Sequence, residues 1–137
     1  MVNTNTKIEN VGIHHLALAA SNYEKSCKFY ETGLGFVKIA EWGEGKGRIS
    51  LYDIGNGSCF EIFANGTAEP QTNARFIHFA FATTNPDLAY ENAIKAGAES
   101  HIEPKNVTLQ ATPPIPARLA FVKGPDGELL EFFDQED

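Results

Sequence analysis

The sequence lacks long hydrophobic runs and is poor in positive charge. No apolar stretch among its 137 residues approaches the roughly twenty that span a bilayer. The polar segment 1–10 does not have the pattern of a signal peptide. We therefore expect a cytoplasmic protein with no membrane partner. The chain has 11 Lys and Arg against 18 Asp and Glu, a net charge of −7. This balance argues against nucleic-acid binding, which needs clustered cations.

Cysteine is scarce as well. Cys27 and Cys59 are the only two cysteines, and their positions in a predicted helix and a predicted strand do not have the spacing of a metal site. We expect buried free thiols in a reducing compartment rather than a disulfide. With 42% hydrophobic residues, the chain is long enough to form one domain, residues 1–137, around a substantial core.

What the sequence does contain is an internal repeat. Residues 13–19 read IHHLALA and residues 77–82 read IHFAFA, so that His78 lies 63 positions after His15. In each copy, small residues alternate along the predicted strand after the His. A polar cap and an apolar stripe at helical spacing follow. A repeat of this kind predicts two similar structural modules.

The second half of each module repeats too. Glu61, within FEIF, is matched 70 positions later by Glu131, within LEFF. Because this offset is seven residues longer than that of the histidines, the second copy must contain an insertion, which we place in the Pro-rich segment 103–116. We predict an α+β fold of two β-α-β-β-β modules, residues 11–66 and 75–134, forming a cup-shaped mixed sheet.

The last two strands of each module are predicted to form a hairpin. Asn56-Gly57 is a strong signal for a two-residue loop, which pairs Tyr52 with Glu61. A three-residue loop with a bulge would reverse the face on which each side chain lies. The residues that an even-length loop places on the faces of the two glutamates are Arg48, Ser50 and Tyr52 in the first module, and Arg118, Ala120 and Val122 in the second.

Four potential metal ligands recur at matched positions of the repeat: His15, Glu61, His78 and Glu131. Two imidazoles and two carboxylates suit one divalent zinc, nickel, cobalt, manganese or iron ion. A carboxylate in an apolar strand needs a counter-charge, which a divalent cation provides. The structural alternative is a hydrogen-bonded His in each strand and a buried salt bridge from each Glu to an Arg.

Two arginines are candidates for substrate binding. Arg48 and Arg118, with Tyr52 nearby, are expected on the faces of the glutamates, where a guanidinium could hold an anionic group of a substrate. The other two histidines are not expected to bind a metal. We predict that His14 packs on the helix side of its strand and that His101 is solvated beside the insertion.

The residues also carry a family resemblance. The segments HLAL from His15, SCKFY from Ser26 and AFVKGPDGELLE ending at Glu131 resemble the vicinal oxygen chelate superfamily. Its members include glyoxalase I, methylmalonyl-CoA epimerase, extradiol dioxygenases and bleomycin-binding proteins, and the similarity covers residues 11–133. The resemblance implies helices on the outer face of the cup and a homodimer. It also implies one divalent metal bound by His15, Glu61, His78 and Glu131.

The resemblance further implies an activity. The four donors resemble those of bacterial glyoxalase I and the epimerases, which implies a lyase or isomerase that enolises a small substrate through vicinal oxygens bound to the metal. Glu131 is the implied base, with Glu61 as the symmetric alternative. Two other functions remain open: a ferrous extradiol-type dioxygenase, and a small-molecule-binding protein without catalysis. The aromatic residues that motivate the binding protein are Phe60, Phe63, Phe133, Tyr52 and Trp42.

Overall fold

The computed structural model describes residues 6–7, 13–68 and 78–136. It contains two four-stranded mixed sheets and two helices. The elements of the first module are β1 (His15–Ala19), α1 (Tyr23–Lys28) with a π-helical turn (Phe29–Gly33), β2 (Val37–Trp42), a short 3-10 turn (Gly45–Gly47), β3 (Ile49–Asp53) and β4 (Cys59–Phe63). Those of the second are β5 (Phe79–Ala82), α2 (Pro86–Lys95), β6 (Glu99–Leu109), β7 (Ile115–Lys123) and β8 (Leu129–Gln135).

The two sheets have the same topology. Their strand orders are β1-β4-β3-β2 and β5-β8-β7-β6. In each, the first strand pairs in parallel with the last, and the other pairs are antiparallel. The predicted α+β class and the β-α-β-β-β order are confirmed. Residues 11–12 of the first predicted module and residues 75–77 of the second lie outside the described residues.

Both helices begin in the predicted polar segment that follows the first strand of each module, and each is capped by an asparagine. The Asn22 side chain accepts a hydrogen bond from the Lys25 backbone N–H at 3.1 Å, and Asn85 accepts one from Leu88 at 3.1 Å. Pro86 occupies the first turn of α2, where its missing N–H costs nothing. Each asparagine lies in the short polar segment after the first strand of its module, and its side chain satisfies a free N–H group of the first helical turn.

The register of both hairpins differs from the even-length prediction. Asp53 pairs with Cys59, so residues 54–58 form an odd-length loop, and Glu61 lies opposite Leu51. The Asp53 carboxylate accepts a hydrogen bond from the Gly55 N–H at 2.6 Å and so lengthens the turn. The second hairpin repeats this geometry, with Lys123 opposite Leu129 and Phe121 opposite Glu131. The prediction of which strand residues share a face with the glutamates is therefore wrong in both modules.

The Pro-rich insertion is also different from the prediction. Instead of a loop, residues 103–116 lengthen β6 and β7 into a long hairpin, in which Thr108 pairs with Pro116. β6 is an edge strand, and an edge tolerates Pro104 because its missing N–H can face solvent. A register shift between Ile102 and Lys105 accommodates this proline.

Both modules contribute to one buried core. Phe60 and Leu130, from β4 and β8, belong to the same cluster of buried residues and are 1% and 0% exposed. Rings from the two modules meet directly, with Phe60 and Phe79 centroids 6.1 Å apart. The Tyr30 hydroxyl donates to Glu128 Oε2 at 2.7 Å, which links the π-helical turn after α1 to the turn before β8. The two sheets thus pack their Phe60 and Leu130 faces toward a shared core.

Cys27 and Cys59 are buried free cysteines, which confirms the prediction of free thiols.

Candidate functional site

The first predicted pair of ligands meets on one face of the first sheet. β1 runs parallel to β4 with Ala17 opposite Glu61, and His15 is two residues before Ala17 on the same face. The His15 Nε2 atom lies 3.7 Å from Glu61 Oε1. The methyl group of Ala17 beside this pair leaves open space over the strand.

The second pair repeats this arrangement. Ala80 lies opposite Glu131, and His78 directly precedes β5. The His78 Nε2 atom lies 3.2 Å from Glu131 Oε1. The matched positions of the repeat therefore produce matched side-chain pairs in space.

The second carboxylate is nearly enclosed. Glu131 is 7% exposed, and burial raises its pKa above the ordinary value, although the neighbouring His78 opposes this effect. In the described part of the chain, no Lys or Arg forms an ion pair with Glu61 or Glu131. A buried carboxylate with an imidazole as its only ionic partner suits a bound cation better than the predicted structural salt bridge to Arg48 or Arg118.

The two pairs do not form a single group within one chain. Within residues 6–7, 13–68 and 78–136, no three His, Cys, Asp or Glu side chains are close enough together to hold a metal ion. Alternation along β4 places Glu61 on the sheet face opposite Phe60, and alternation along β8 places Glu131 opposite Leu130. Because Phe60 and Leu130 face the shared core, both pairs face away from it. We call the two sheet faces that carry Glu61 and Glu131 the open faces.

The donor set fits a divalent metal. Two imidazole nitrogens and two carboxylates are ligands of zinc, nickel, cobalt, manganese and ferrous iron. The side chains of His15 and His78 are 44% and 38% exposed, so that a ligand from outside the chain can reach each pair.

Arg48 and Arg118 lie elsewhere than predicted. Arg48 donates to Glu24 at 2.9 Å and to Glu41 at 3.3 Å, and its guanidinium stacks over the ring of Tyr23 on α1. The hydrogen bond with Glu41 raises the pKa of Arg48, and the same bond holds the pKa of Glu41 below its ordinary value. Arg118 extends toward the helix layer, where it donates to both carboxylate oxygens of a helix residue.

That helix residue is Asp87 on α2. Its oxygens accept from Arg118 at 2.6 and 2.7 Å, and this bidentate contact lowers the pKa of Asp87. Tyr52 is fully buried and donates to Glu31 at 3.2 Å. The prediction that Arg48, Arg118 and Tyr52 line the face of the glutamates is wrong, because the odd-length loops reverse the parity of β3 and β7.

The predicted positions of Ser50, Ala120 and Val122 on the faces of the glutamates are wrong for the same reason. All three are buried at 0% exposure, and Ser50 is hydrogen-bonded to the Tyr23 hydroxyl on α1. They contribute to the core instead of to an open face.

His14 is also placed differently from the prediction. It is exposed, and its Nδ1 atom lies 2.9 Å from His15 Nδ1. β1 begins only at His15, so strand alternation does not direct His14 toward the helix layer. His14 thus contacts the ring of a candidate ligand, which the sequence pattern did not indicate.

The open face of the second module contains an aromatic residue that the sequence reasoning missed. The ring centroid of Phe121 lies 5.3 Å from that of His78 and 6.1 Å from that of His101. The correct hairpin register, with Phe121 opposite Glu131, is the signal that would have identified it. His101 is exposed, as predicted, but it lies on strand β6 beside Phe121 instead of beside a loop.

Other apolar side chains extend the open faces. In the first module, Trp42, Ile49 and Phe63 form one cross-strand row, two residues from Glu61. In the second, Leu119 pairs with Phe133 in the same relation to Glu131. Phe60 and Tyr52, in contrast, are buried in the core and line neither open face.

No helix in the described ranges is long and apolar enough to cross a membrane.

Comparisons with known proteins agree with this architecture. The chain is 35% identical over 129 residues to the uncharacterized protein YwkD of Bacillus subtilis (strain 168), a match that covers 90% of this chain and 96% of that protein. A mutant of glyoxalase I from Zea mays superposes with a TM-score of 0.73 at 20% identity, covering 91% of this chain and 45% of that one. TnmS3, an antibiotic binding protein from Streptomyces sp. CB03234, superposes with a TM-score of 0.72 at 18% identity, covering 94% of this chain and 99% of that one.

The predicted superfamily resemblance is confirmed on the sequence itself. Residues 12–132 match the family model described as Glyoxalase/Bleomycin resistance protein/Dioxygenase superfamily. The chain belongs to this superfamily.

Proposed function

We propose that this protein is a homodimeric, metal-dependent lyase or isomerase of glyoxalase type, acting on a small substrate with two neighbouring oxygen atoms. The observation that carries the proposal is the presence of two His–Glu pairs at matched repeat positions on the open faces. The two buried free cysteines support a reducing compartment such as the cytoplasm.

We propose further that each complete site forms between two chains. The His15–Glu61 pair of one chain and the His78–Glu131 pair of its partner would then share one cation. Two observations support this assembly: the pairs face away from the core that the two modules share within a chain, and the described residues contain no complete ligand set. A symmetric dimer would build two such sites.

The edge strand β2 supports the dimer as well. Every residue of β2 is exposed, and its apolar side chains Val37, Ile39 and Trp42 are 63%, 54% and 45% exposed. An exposed edge strand with large apolar residues is unfavourable in an isolated chain and is usually covered. A second copy of the chain would bury this surface next to the open face of the first module.

The residues that would hold the metal are His15, Glu61, His78 and Glu131. When bound, a divalent cation supplies Lewis acidity that stabilises negative charge developing on the substrate oxygens. The chain's own contribution is the fixed orientation of the donors. His14 beside His15 and Phe121 beside His78 restrict the rings.

Glu131 is the proposed general base. It would take a proton from the hydroxyl-bearing carbon next to the substrate carbonyl and return it to the former carbonyl carbon, while the hydroxyl proton passes to the former carbonyl oxygen, so that the reaction needs no oxidant or reductant. Burial raises its pKa, which brings a carboxylate closer to the pH at which it can both accept and donate a proton. Glu61, whose side chain is 13% exposed, is the symmetric alternative.

The surroundings of the pairs would select the substrate. Ala17 and Ala80 lie opposite the two glutamates and leave room for a small molecule. Phe63 and Phe121 supply apolar contacts, which exclude water from the carbon that loses its proton. The arginines are engaged on the helix side, so they do not supply the anchor for an anionic group that the sequence reasoning expected.

The proposal is tested by metal analysis combined with an exchange assay. Purified protein should retain up to one divalent ion per chain, and it should exchange the proton next to the carbonyl of short hydroxy-ketones or hemithioacetals in deuterated water. His15→Ala and Glu131→Ala should reduce both metal content and exchange. Glu103→Ala, which removes an exposed carboxylate from the edge strand β6, is the matched control and should change neither. Wild-type protein that never retains metal would contradict the proposal.

A binding protein without catalysis is the second candidate function. It is favoured by the apolar rows on the open faces, where Trp42 and Phe63 lie beside Glu61. Tight binding of an aromatic compound that is unaffected by a chelator, together with no proton exchange, would support this candidate. Oxygen uptake with catechols in the presence of ferrous iron would instead indicate dioxygenase chemistry.

A further inference from the structure

We propose that this protein has a second binding site, on the helix side and remote from both His–Glu pairs, for a phosphorylated small organic molecule. The site is a cavity of about 650 Å³ between the end of α1, the end of α2 and the turn after β7. Four lysines line it: Lys25, Lys28, Lys95 and Lys123. None of the four proposed metal ligands lines this cavity.

The concentration of positive charge is unusual for this chain. The protein has 11 Lys and Arg in total and a net charge of −7, yet four of these cations surround one cavity, where Glu99 is the only acidic lining residue. Cations gathered in this way raise the local potential and attract anions despite the negative net charge of the molecule.

These lysines have no partners in the described part of the chain. None of Lys25, Lys28, Lys95 and Lys123 lies within 4.0 Å of a carboxylate oxygen there. Lys38, in comparison, pairs with Glu41 at 3.4 Å. Four unpaired ammonium groups around one space repel each other, and a bound anion would remove that repulsion.

Helix termini explain only part of this arrangement. Lys28 and Lys95 are the last residues of α1 and α2, where a cation interacts favourably with the helix dipole. Lys123 ends a β-strand instead, and a strand has no comparable dipole. Its presence in the same cavity therefore points to a ligand.

The remaining walls indicate the kind of anion. The cavity is far larger than a phosphate ion, and its volume falls within the usual range of small-molecule pockets. Phe29, Ala96 and Pro125 provide apolar surface. Thr32 and Asn92 also line the cavity, and their side chains make no hydrogen bond within the described ranges. A phosphate group among the lysines and an organic body against the apolar wall would satisfy both surfaces.

The close contact of the two modules gives the cavity a rigid floor. A Cβ atom on Gly33 would lie only 2.5 Å from the Cβ of Ala96, so the end of the π-helical turn packs directly against the end of α2. Lysines from α1, α2 and β7 are thereby held around the same space by elements of both modules.

The test is an NMR titration of isotopically labelled full-length protein with inorganic phosphate and with phenyl phosphate. The amide signals of Gly97 and Gly124, at the cavity, should shift and saturate. Phenyl phosphate should bind more tightly than inorganic phosphate because of its apolar ring. The Lys95→Gln/Lys123→Gln variant should bind at least about tenfold more weakly, since it loses two charge-assisted contacts.

Lys105→Gln is the matched control. Lys105 is an exposed lysine on β6 that does not line the cavity, and its loss should leave the affinity unchanged. Equal weakening in the control and in the cavity variant, or phenyl phosphate binding no tighter than inorganic phosphate, would overturn the proposal. Shifts confined to Ala17 and Ala80, beside the His–Glu pairs, would overturn it too, because they would place the anion at the proposed metal site.

Discussion

The two modules of this chain carry the same pair of side chains in unequal surroundings. In the first module, His15 and Glu61 are 3.7 Å apart, and the Glu61 side chain is 13% exposed. In the second, His78 and Glu131 are 3.2 Å apart, and the Glu131 side chain is 9% exposed. At the position opposite the glutamate, the first module has Leu51 where the second has Phe121.

This difference supports the proposed division of roles, with Glu131 as base and Glu61 as ligand. Burial raises the pKa of Glu131, although the nearby His78 opposes this effect, and a raised pKa suits a group that must take up and release a proton. The looser pair keeps a more accessible carboxylate, as suits a ligand. Under the proposal, the duplicated module provides the same donors twice, and the different neighbours of the two glutamates would make one of them the base.

The largest expected effect concerns the two glutamates. Glu131→Ala should reduce turnover by about a hundredfold to ten-thousandfold, the usual range for loss of a general base. Glu61→Ala should weaken metal binding but, at saturating metal, reduce turnover far less. Steady-state proton exchange with metal in excess measures the difference. Equal losses in turnover would contradict the division of roles.

The second prediction contrasts the two hairpin turns. Tyr30, which is fully buried, donates to Glu128 in the turn of the second module, whereas the matching Ser58 of the first module makes no side-chain hydrogen bond to another described residue. Tyr30→Phe should lower the free energy of unfolding by about 1–3 kcal/mol, because it removes one of the donors to the half-buried Glu128 carboxylate. Ser58→Ala should change it by less than about 0.5 kcal/mol. Urea denaturation followed by circular dichroism measures both variants.

The same turn should make stability depend on pH. Burial raises the pKa of Glu128 above its ordinary 4.5, although hydrogen bonds from Tyr30 and from backbone N–H groups oppose this. A raised pKa in the folded state means that this group contributes stability below pH 4.5, which is lost as the pH rises through the folded-state pKa. Glu128→Gln cannot ionise, so its stability relative to the wild type should increase as the pH rises. A constant difference from acid to neutral pH would contradict this prediction.

The next prediction concerns a substitution that makes the second module resemble the first. Phe121→Leu introduces the residue type found at Leu51 and reduces the enclosure of Glu131. The pKa of Glu131 should fall, and the acidic limb of the pH–rate profile should move to lower pH, because the base then remains ionised in more acidic solution. Leu51→Ala is the control and should leave this limb in place. An acidic limb that is unchanged in Phe121→Leu would show that the ring does not control the base.

The smallest effect on catalysis is expected from substitution of the two arginines. Arg48→Gln and Arg118→Gln break ion pairs on the helix side of the two sheets, at half-exposed positions where such pairs contribute little. KM and turnover should each stay within about twofold of the wild type. An increase in KM of about tenfold or more in either variant would contradict this prediction and would support the role in substrate binding that the sequence suggested.

The sequence was sufficient to predict the repeat and its consequences. His15 and His78 recur at one offset and Glu61 and Glu131 at another, and the structure indeed brings each His to its Glu. A polar cap before each helix was also predictable, because a polar residue before an apolar helical stripe satisfies free backbone N–H groups.

The face of each hairpin residue was not predictable from the same pattern. Asn56-Gly57 favours a two-residue loop, but the Asp53 carboxylate binds the Gly55 and Gly57 N–H groups and stabilises a longer one. One residue more or less in the loop moves Tyr52 from an open face into the core.

The location of the pairs relative to each other depends on still longer-range contacts. Packing of Phe36 on Phe81, with ring centroids 5.7 Å apart, directs the core faces of the two sheets toward each other. No local sequence pattern specifies which copy of the second module faces a given first module. Whether a complete site forms in one chain or between two therefore has to be read from the packing.

The most direct test of the account is a complementation experiment. One variant carries His15→Ala and Glu61→Ala, the other carries His78→Ala and Glu131→Ala, and neither should hold metal or exchange protons alone. If sites form between chains, a mixed dimer regains one intact site, so random assembly of the two variants should restore about one quarter of wild-type metal content and exchange. No restoration in dimers shown by native mass spectrometry to be mixed would contradict a site shared between two chains.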